Sequence, residues 1–184
     1  QSLYKKEESR SLLDALYGLS GIESIIVEQV QGWQVYNLYA IPADVQDWVN
    51  RKFSHAKYWH QYTVAIRNCR ASDPGGHLLV DFRADEFSVV AAAENKLLLT
   101  QTYFYSTPED VLYYLLKICH ETGLSQQEVR VSVSGLIDKN SALYKELYQY
   151  FIYLTFREAG WKNDEQAYPA HFFTSLNDQV RCVL

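Results

Sequence analysis

The stretch from residue 77 to residue 156 most constrains the fold, because it carries six elements in a fixed order. Three short apolar runs, at 77–84, 87–92 and 97–104, are separated by breaks of only two to four residues. Such short connections join antiparallel neighbours, so these runs predict a three-stranded meander. Residues 129–135 alternate valine with arginine or serine, which predicts a fourth strand.

Two helices alternate with these strands, and their ends are marked by specific residues. Thr107 precedes Pro108, and Asp110 completes a capping box, so a helix is predicted to begin here and to end before Gly123. Its apolar stripe is Val111, Leu112, Leu115, Ile118 and Cys119. Ser141 is placed to cap a second helix. The stripe of that helix runs through Leu143, Leu147, Tyr150 or Phe151, and Leu154. A fourth strand reached through a helix is expected to lie parallel to its neighbour.

The resulting order, β-β-β-α-β-α, is the core unit of the actin-like ATPase and ribonuclease-H-like folds, which are α/β folds with mixed sheets. Charge, proline and glycine cluster at 70–76 and predict the boundary between two lobes. We assign residues 1–72 to a first lobe, a degenerate or incomplete actin-like half. Residues 73–184 form the second lobe, with the core unit and a C-terminal tail that is expected to be irregular from Trp161 onward.

The sequence predicts the secondary structure of the first lobe less clearly than that of the second. Residues 9–19 predict an amphipathic helix, and residues 23–30 and 33–41 predict two strands. Pro42 is placed as the first residue of another helix. Residues 56–69 fit a helix or a strand equally well.

Composition narrows the classes of partner. The formal net charge is -5 and no basic patch is visible, which argues against nucleic acid. No apolar run is long enough to cross a bilayer, so no membrane partner is expected. Three scattered cysteines imply no disulfide framework and indicate a reducing, cytoplasmic setting. The 15 tyrosines are expected to line helix–sheet boundaries, with a surface for another protein as the alternative.

Several segments of the chain are similar to one uncharacterised family. They are STPEDVLYYLLKI at 106–118, VRVSVSGLIDKNSALYKELYQYF at 129–151, YPAHFF at 168–173 and CVL at 182–184. On these segments the chain resembles domain-of-unknown-function family 3822, which is found in Bacteroidetes. The resemblance implies an actin-like ATPase fold and no established activity.

This resemblance brings ATP with Mg²⁺ into consideration as a cofactor. In actin-like ATPases a D-x-G hairpin wraps the phosphates, because glycine lets main-chain amides approach an anion. Here Asp81 is followed by Arg83, Asp85 and Glu86 and by no glycine in the hairpin. A Gly-Gly loop follows the fourth strand in that family, whereas here only Gly135 is present. The candidate cofactor-binding residues are therefore Asp81, Arg83 and Gly135, and the missing glycines argue against ATP hydrolysis.

A metal-dependent nuclease is a second enzymatic hypothesis. Ribonuclease-H-like enzymes hold two Mg²⁺ ions with carboxylates from the first strand, the first helix and the end of the fourth strand. Asp81, Glu109 or Asp110, and Asp138 occur in that order. The acids at 109 and 110 are already explained by the helix start, and the acidic charge disfavours a nucleic-acid substrate. Asp81 and Asp138 stay as candidate catalytic residues, and no metal site is predicted from the spacing of the histidines.

These observations favour a non-catalytic, cytoplasmic interaction module that binds another protein on a degenerate actin-like ATPase scaffold. The first alternative is a weak ATP-binding switch or ATPase, and the second is the ribonuclease-H-like nuclease. The balance leans away from an enzyme, because the glycines that would hold phosphate are absent.

Overall fold

A computed structural model of the protein describes residues 8–55, 57–70, 72–160 and 168–183. Within them the chain forms two compact units, one extending to Thr63 and one beginning at Val64. The sequence-based division of the lobes at residues 72 and 73 stays a prediction.

The first unit is built around a two-stranded antiparallel hairpin. Helix α1, Ser9–Tyr17, precedes strands β1, Glu23–Val30, and β2, Val35–Pro42, and helix α2, Ala43–Lys52, follows them. The hairpin register runs from Glu23 opposite Pro42 to Val30 opposite Val35. Pro42 is thus the last residue of β2 and flanks α2, so its predicted place inside the helix is wrong by one position.

The ambiguous stretch after α2 contains a helix, α3, at Gln61–Asn68. Thr63 and Ile66, three residues apart on this helix, are buried, and so is Val64. The division between the two units falls inside this helix.

The second unit is organised on a five-stranded mixed sheet with strand order β5-β4-β3-β6-β7. The strands are β3, His77–Phe82; β4, Glu86–Ala93; β5, Lys96–Phe104; β6, Arg130–Gly135; and β7, Tyr153–Phe156. Strands β3, β4 and β5 pair antiparallel, whereas β6 pairs parallel to β3 and β7 parallel to β6. The predicted meander and the parallel fourth strand are both confirmed.

Two helices cover one face of this sheet. Helix α4, Pro108–Thr122, begins with the predicted capping box of Thr107 and Asp110 and ends at Gly123, whose φ is 71°. All five residues of its predicted stripe are buried. Helix α5, Ala142–Tyr150, is capped by the Ser141 side chain, which accepts a hydrogen bond from the Tyr144 main-chain N–H at 3.1 Å. Valines of β6 and leucines of both helices form one core with β3 and β4.

The opposite face of the sheet carries a buried polar cluster around His77. Its Nδ1 accepts a hydrogen bond from the Arg70 main-chain N–H at 2.9 Å, and its Nε2 lies 2.9 Å from Oγ of Ser132. Because Nδ1 is an acceptor, Nε2 carries the proton and donates to Ser132. Cys69 Sγ lies 3.5 Å from Nδ1. Burial raises the pKa of the Cys69 thiol to about 12, so the cluster holds no thiolate. Its hydrogen bonds join the segment after α3 to the sheet.

The C-terminal segments pack against β6. A short 3-10 helix, Ala170–Phe173, leads into helix α6, Thr174–Val183. Nε2 of the buried His171 lies 2.7 Å from the carbonyl oxygen of Ile137, and Arg157 pairs with Asp178 of α6. The prediction of an irregular tail is therefore wrong for residues 170–183, while Trp161, where that prediction began, lies outside the described residues.

The predicted stripe of the second helix is wrong beyond Tyr150. Phe151 leaves helical geometry, with φ -114° and ψ 111°, and the chain turns into β7. Leu154 reaches the core from this strand rather than from a helix. The error arises because the apolar residues at 147, 151 and 154 fit helical spacing although the helix has already ended.

Replacing Val131 with aspartate should lower the free energy of unfolding by about 4 kcal/mol, because the new carboxylate would be buried without a partner. Val131 lies on β6 and has no exposed surface. Urea unfolding of Val131→Asp measures the loss. The matched control is Val45→Asp, since Val45 is about half exposed in the first turn of α2. Equal stability of the two variants would contradict the assignment of β6 as an inner strand.

His77 should make the protein less stable in acid. Burial lowers its pKa from the ordinary 6.5 to about 4, so the folded state holds it neutral. The stability that it contributes is present above pH 6.5 and is lost as the pH falls toward 4, because the unfolded chain takes up the proton first. Between pH 7 and pH 4.5 this single group should remove about 2 kcal/mol of unfolding free energy.

Urea unfolding of His77→Gln at both pH values measures that contribution, since glutamine removes the titration. The variant should lose about 2 kcal/mol less than the natural sequence between the two pH values. The control is His120→Gln, because His120 is exposed on α4. An unchanged pH dependence in His77→Gln would contradict the assignment.

Candidate functional site

Three of the four predicted site residues lie around the carboxyl ends of the parallel pair β3 and β6. Asp81 stands opposite Ser134, and Phe82 stands opposite Gly135. Oδ1 of the half-buried Asp81 accepts a hydrogen bond from Oγ of the fully buried Ser134 at 2.8 Å. The Asp81 carboxylate is therefore held toward β6 by a neutral donor and keeps further acceptor positions.

Gly135 allows the two strands to approach closely. Its φ is 80°, and a Cβ at this position would lie 2.1 Å from the carbonyl oxygen of Phe82. The next amide, that of Leu136, donates to the same carbonyl at 2.8 Å. Glycine is thus required here both by the left-handed backbone and by the lack of space. The sequence indicated a tight turn, and the structure adds the contact with β3.

The hairpin between β3 and β4 is closed by bonds within the protein. The Arg83 main-chain N–H donates to the carbonyl oxygen of Glu86 at 2.8 Å, and the Arg83 guanidinium pairs with the Glu86 carboxylate. The Tyr105 hydroxyl donates to the Arg83 carbonyl at 3.0 Å, and the Tyr105 main-chain N–H donates to the Asp85 carbonyl at 3.0 Å. Burial, with a smaller effect of the Asp85 charge, raises the pKa of Tyr105, so its hydroxyl stays protonated.

Asp138 has a local structural role at the approach to α5. Its Oδ1 accepts a hydrogen bond from the Asn140 main-chain N–H at 2.6 Å. Its main-chain oxygen accepts bonds from Ser141, from the amide at 3.0 Å and from the hydroxyl at 2.6 Å. The side chain is exposed, and the turn that it forms positions the helix cap.

The carboxylates of the nuclease hypothesis are not gathered into one site. Oδ2 of Asp110 accepts the Ser106 and Thr107 amides, each at 2.9 Å, and the Ser106 bond is the main reason that its pKa lies below the ordinary value. Asp81 bonds Ser134, and Asp138 bonds its own turn. Across the described ranges, no group of three or more His, Cys, Asp or Glu side chains is placed to hold a metal ion.

Ser134 was not predicted as a site residue, although it is the partner of Asp81. The alternation in β6 placed Ser132 and Ser134 on a polar face, yet both are buried. A strand between two parallel neighbours is covered on both faces, so small serines there indicate an interior position. The serines were visible in the sequence, but β7, the second parallel neighbour of β6, was not predicted.

The fold resembles that of a solved structure of unknown function. A crystal structure from Bacteroides thetaiotaomicron VPI-5482, described as a protein with an actin-like ATPase fold and unknown function, matches with a TM-score of 0.72 and 18% sequence identity. The match covers 84% of this chain and 62% of that chain. The protein therefore has an actin-like ATPase fold with a mixed α/β architecture, and it spans under two thirds of that relative's length. It belongs to the family described as protein of unknown function (DUF3822), whose family pattern matches residues 1–154.

A further similarity, to the AlfA filament bound to AMPPNP, has a TM-score of 0.43, 13% identity and coverage of 64% of this chain and 41% of that one. It is too distant to support an argument. No curated protein matches the sequence. No helix in the described part of the chain combines the length and apolarity that crossing a bilayer requires.

Replacing Gly135 with alanine should cost more than about 3 kcal/mol of unfolding free energy, because the added Cβ would meet the Phe82 carbonyl as well as strain the backbone. The matched control is Gly123→Ala, where φ is 71° but nothing lies within 4 Å of the added atom. That control should lose only about 1 kcal/mol, the cost of a left-handed alanine. Chemical denaturation of both variants separates the two effects, and equal losses would show that the close approach contributes nothing.

Proposed function

We propose that this chain is a non-catalytic, cytoplasmic protein-interaction module on an actin-like ATPase scaffold. The observation that supports this most directly is the closed, acidic hairpin at Arg83–Glu86. The local chemistry of that hairpin supports the proposal where the fold does not, because one fold can carry many unrelated functions.

A phosphate-binding turn needs main-chain N–H groups that point outward and a backbone that approaches the anion closely. In this hairpin the Arg83 amide is already bonded to Glu86, and the Arg83 guanidinium is neutralised by the same residue. Asp85 is exposed beside them, so the turn adds negative charge where an anion would have to come. These residues do not fit a polyphosphate.

The loop after β6 supports the same proposal. The Leu136 amide donates to Phe82 and the Ile137 amide to Gly135, each at 2.8 Å. Both bonds lie within the protein, and the glycine is used for the approach of two strands. The loop therefore offers fewer donors to a nucleotide than a Gly-Gly turn would.

Exposed aromatic side chains support binding to another protein. Trp48, Phe104, Tyr113, Tyr148 and Tyr153 each keep half or more of their surface exposed. Aromatic residues, tyrosine and tryptophan above all, are enriched where proteins bind one another, because they bury large areas at a small cost in conformational entropy.

A weak nucleotide-dependent switch is the alternative. It is favoured by the position of Asp81 at the carboxyl end of a parallel strand, where ligands of open α/β sheets bind. That reading would need Mg²⁺ to offset the charges of the hairpin.

Thermal unfolding with millimolar ATP and Mg²⁺ separates the two readings. The module should keep its melting temperature, because a ligand raises it only by binding the folded state. Mg²⁺ alone and inorganic phosphate are the controls for ionic effects. A rise of several degrees with ATP and Mg²⁺, abolished in Asp81→Asn, would overturn the proposal in favour of the switch.

A further inference from the structure

A concave site lies wholly within the first unit. It is a pocket of about 470 Å³ between α1, β2 and the residues that open α3. Four rings line it, those of Tyr17, Tyr39, His60 and Tyr62, together with Glu23 and Asn37. The rest of its wall is mostly leucine and alanine. We call it the aromatic pocket, and its volume is in the range of sites that bind ligands.

Three of the rings form one connected wall. The His60 ring centroid lies 4.9 Å from that of Tyr39 and 5.0 Å from that of Tyr62. Nδ1 of His60 accepts a hydrogen bond from the Tyr62 main-chain N–H at 3.1 Å. Burial lowers the pKa of His60 despite the opposing effect of Glu28, so the imidazole is neutral at pH 7. The wall therefore presents π systems and no positive charge.

A buried carboxylate stands behind this wall. Glu28 is 8% exposed, and its carboxylate accepts a hydrogen bond from the Tyr39 hydroxyl. The His60 main-chain N–H lies 2.9 Å from Oε1 and 3.2 Å from Oε2. Burial, and then the bond to Glu28, raises the pKa of Tyr39 above its usual range, so the phenol keeps its proton. Both donors are uncharged, and they hold the Glu28 side chain directly behind the rings of the wall.

A second carboxylate lies in the lining itself. Oε1 of Glu23 accepts bonds from the Ser20 hydroxyl and amide, and Oε2 accepts the Gly21 amide at 3.0 Å. The Ser20 hydroxyl is the main cause of a lowered pKa at Glu23, so this carboxylate is ionised at pH 7. The hydrogen bonds from Ser20 and Gly21 hold this carboxylate at the pocket in the absence of a ligand.

We infer that the aromatic pocket binds a cationic side chain, arginine or lysine, presented by a partner protein. A cation is attracted to the faces of tyrosine rings, and the Glu23 carboxylate in the lining adds to that attraction. The aliphatic part of the wall suits the apolar stem of such a side chain. Arginine is the better fit, because its planar fork pairs with carboxylates and stacks on aromatic rings.

This inference rests on the proposed interaction function and names the chemistry of the partner. A main-chain-linked side chain is specified rather than a free amino acid, because the described residues that line the pocket include no lysine or arginine to pair with a free carboxylate group.

NMR titration of the whole chain with N-acetyl-arginine methylamide tests the inference. The amide signals of Asn37, Tyr39 and Ala40 should shift, and the neutral citrulline analogue of the same shape should bind at least about threefold more weakly. Glu23→Gln and Tyr62→Leu should each weaken arginine binding by a similar factor. The control is Glu121→Gln, an exposed acid on α4, which should leave the binding unchanged.

Three results would overturn the inference: no shift at the pocket amides, equal binding of the citrulline analogue, or tighter binding of free arginine than of the capped probe. If Glu23→Gln disturbs its own loop, Tyr62→Leu still tests the pocket.

The outcome of this test is separable from that of the proposed function. Stabilisation by ATP with arginine binding intact would remove the module proposal alone, and a flat ATP response without arginine binding would remove this inference alone.

Discussion

The close parallel pairing of β3 with β6 is the constraint on which the second unit depends. At its carboxyl end the Phe82 carbonyl comes so near Gly135 that no side chain fits between them. This approach fixes the register, and the register places Ser134 against Asp81. The same pairing presents the valines of β6 to α4 and α5 on one face and the serines to His77 and Asp81 on the other.

The hydrogen bonds at the carboxyl ends of β3 and β6 determine which groups there could contact a nucleotide. The scaffold keeps the aspartate and one glycine of the pattern expected for actin-like ATPases, yet the glycine serves strand packing and the aspartate bonds a serine. Neighbouring main-chain groups of the hairpin bond one another or Tyr105. Under the proposed function, the hairpin differs from a phosphate cradle in two ways: Glu86 already accepts the Arg83 amide, and Asp85 and Glu86 add negative charge.

Local signals decided which parts of the fold were predictable. Thr107, Asp110 and Gly123 mark α4 by chemistry that acts within a few residues, so its ends and its stripe were predicted correctly. Strand β7 was missed because Leu154 satisfies helical and strand spacing alike, and only the end of α5 at Phe151 separates them. The aromatic pocket was not predictable, because its wall is assembled by pairing β1 with β2 and by docking of the segment at His60.

The proposed function requires that the hairpin at Arg83–Glu86 holds no polyphosphate. The most direct measurement is a crystal structure of the protein soaked with a non-hydrolysable ATP analogue and Mg²⁺. We expect no ordered phosphate at the hairpin, with the Arg83 amide still bonded to Glu86. A triphosphate bound by the main-chain amides of Arg83 and Ala84, with the Arg83–Glu86 pair broken, would contradict it.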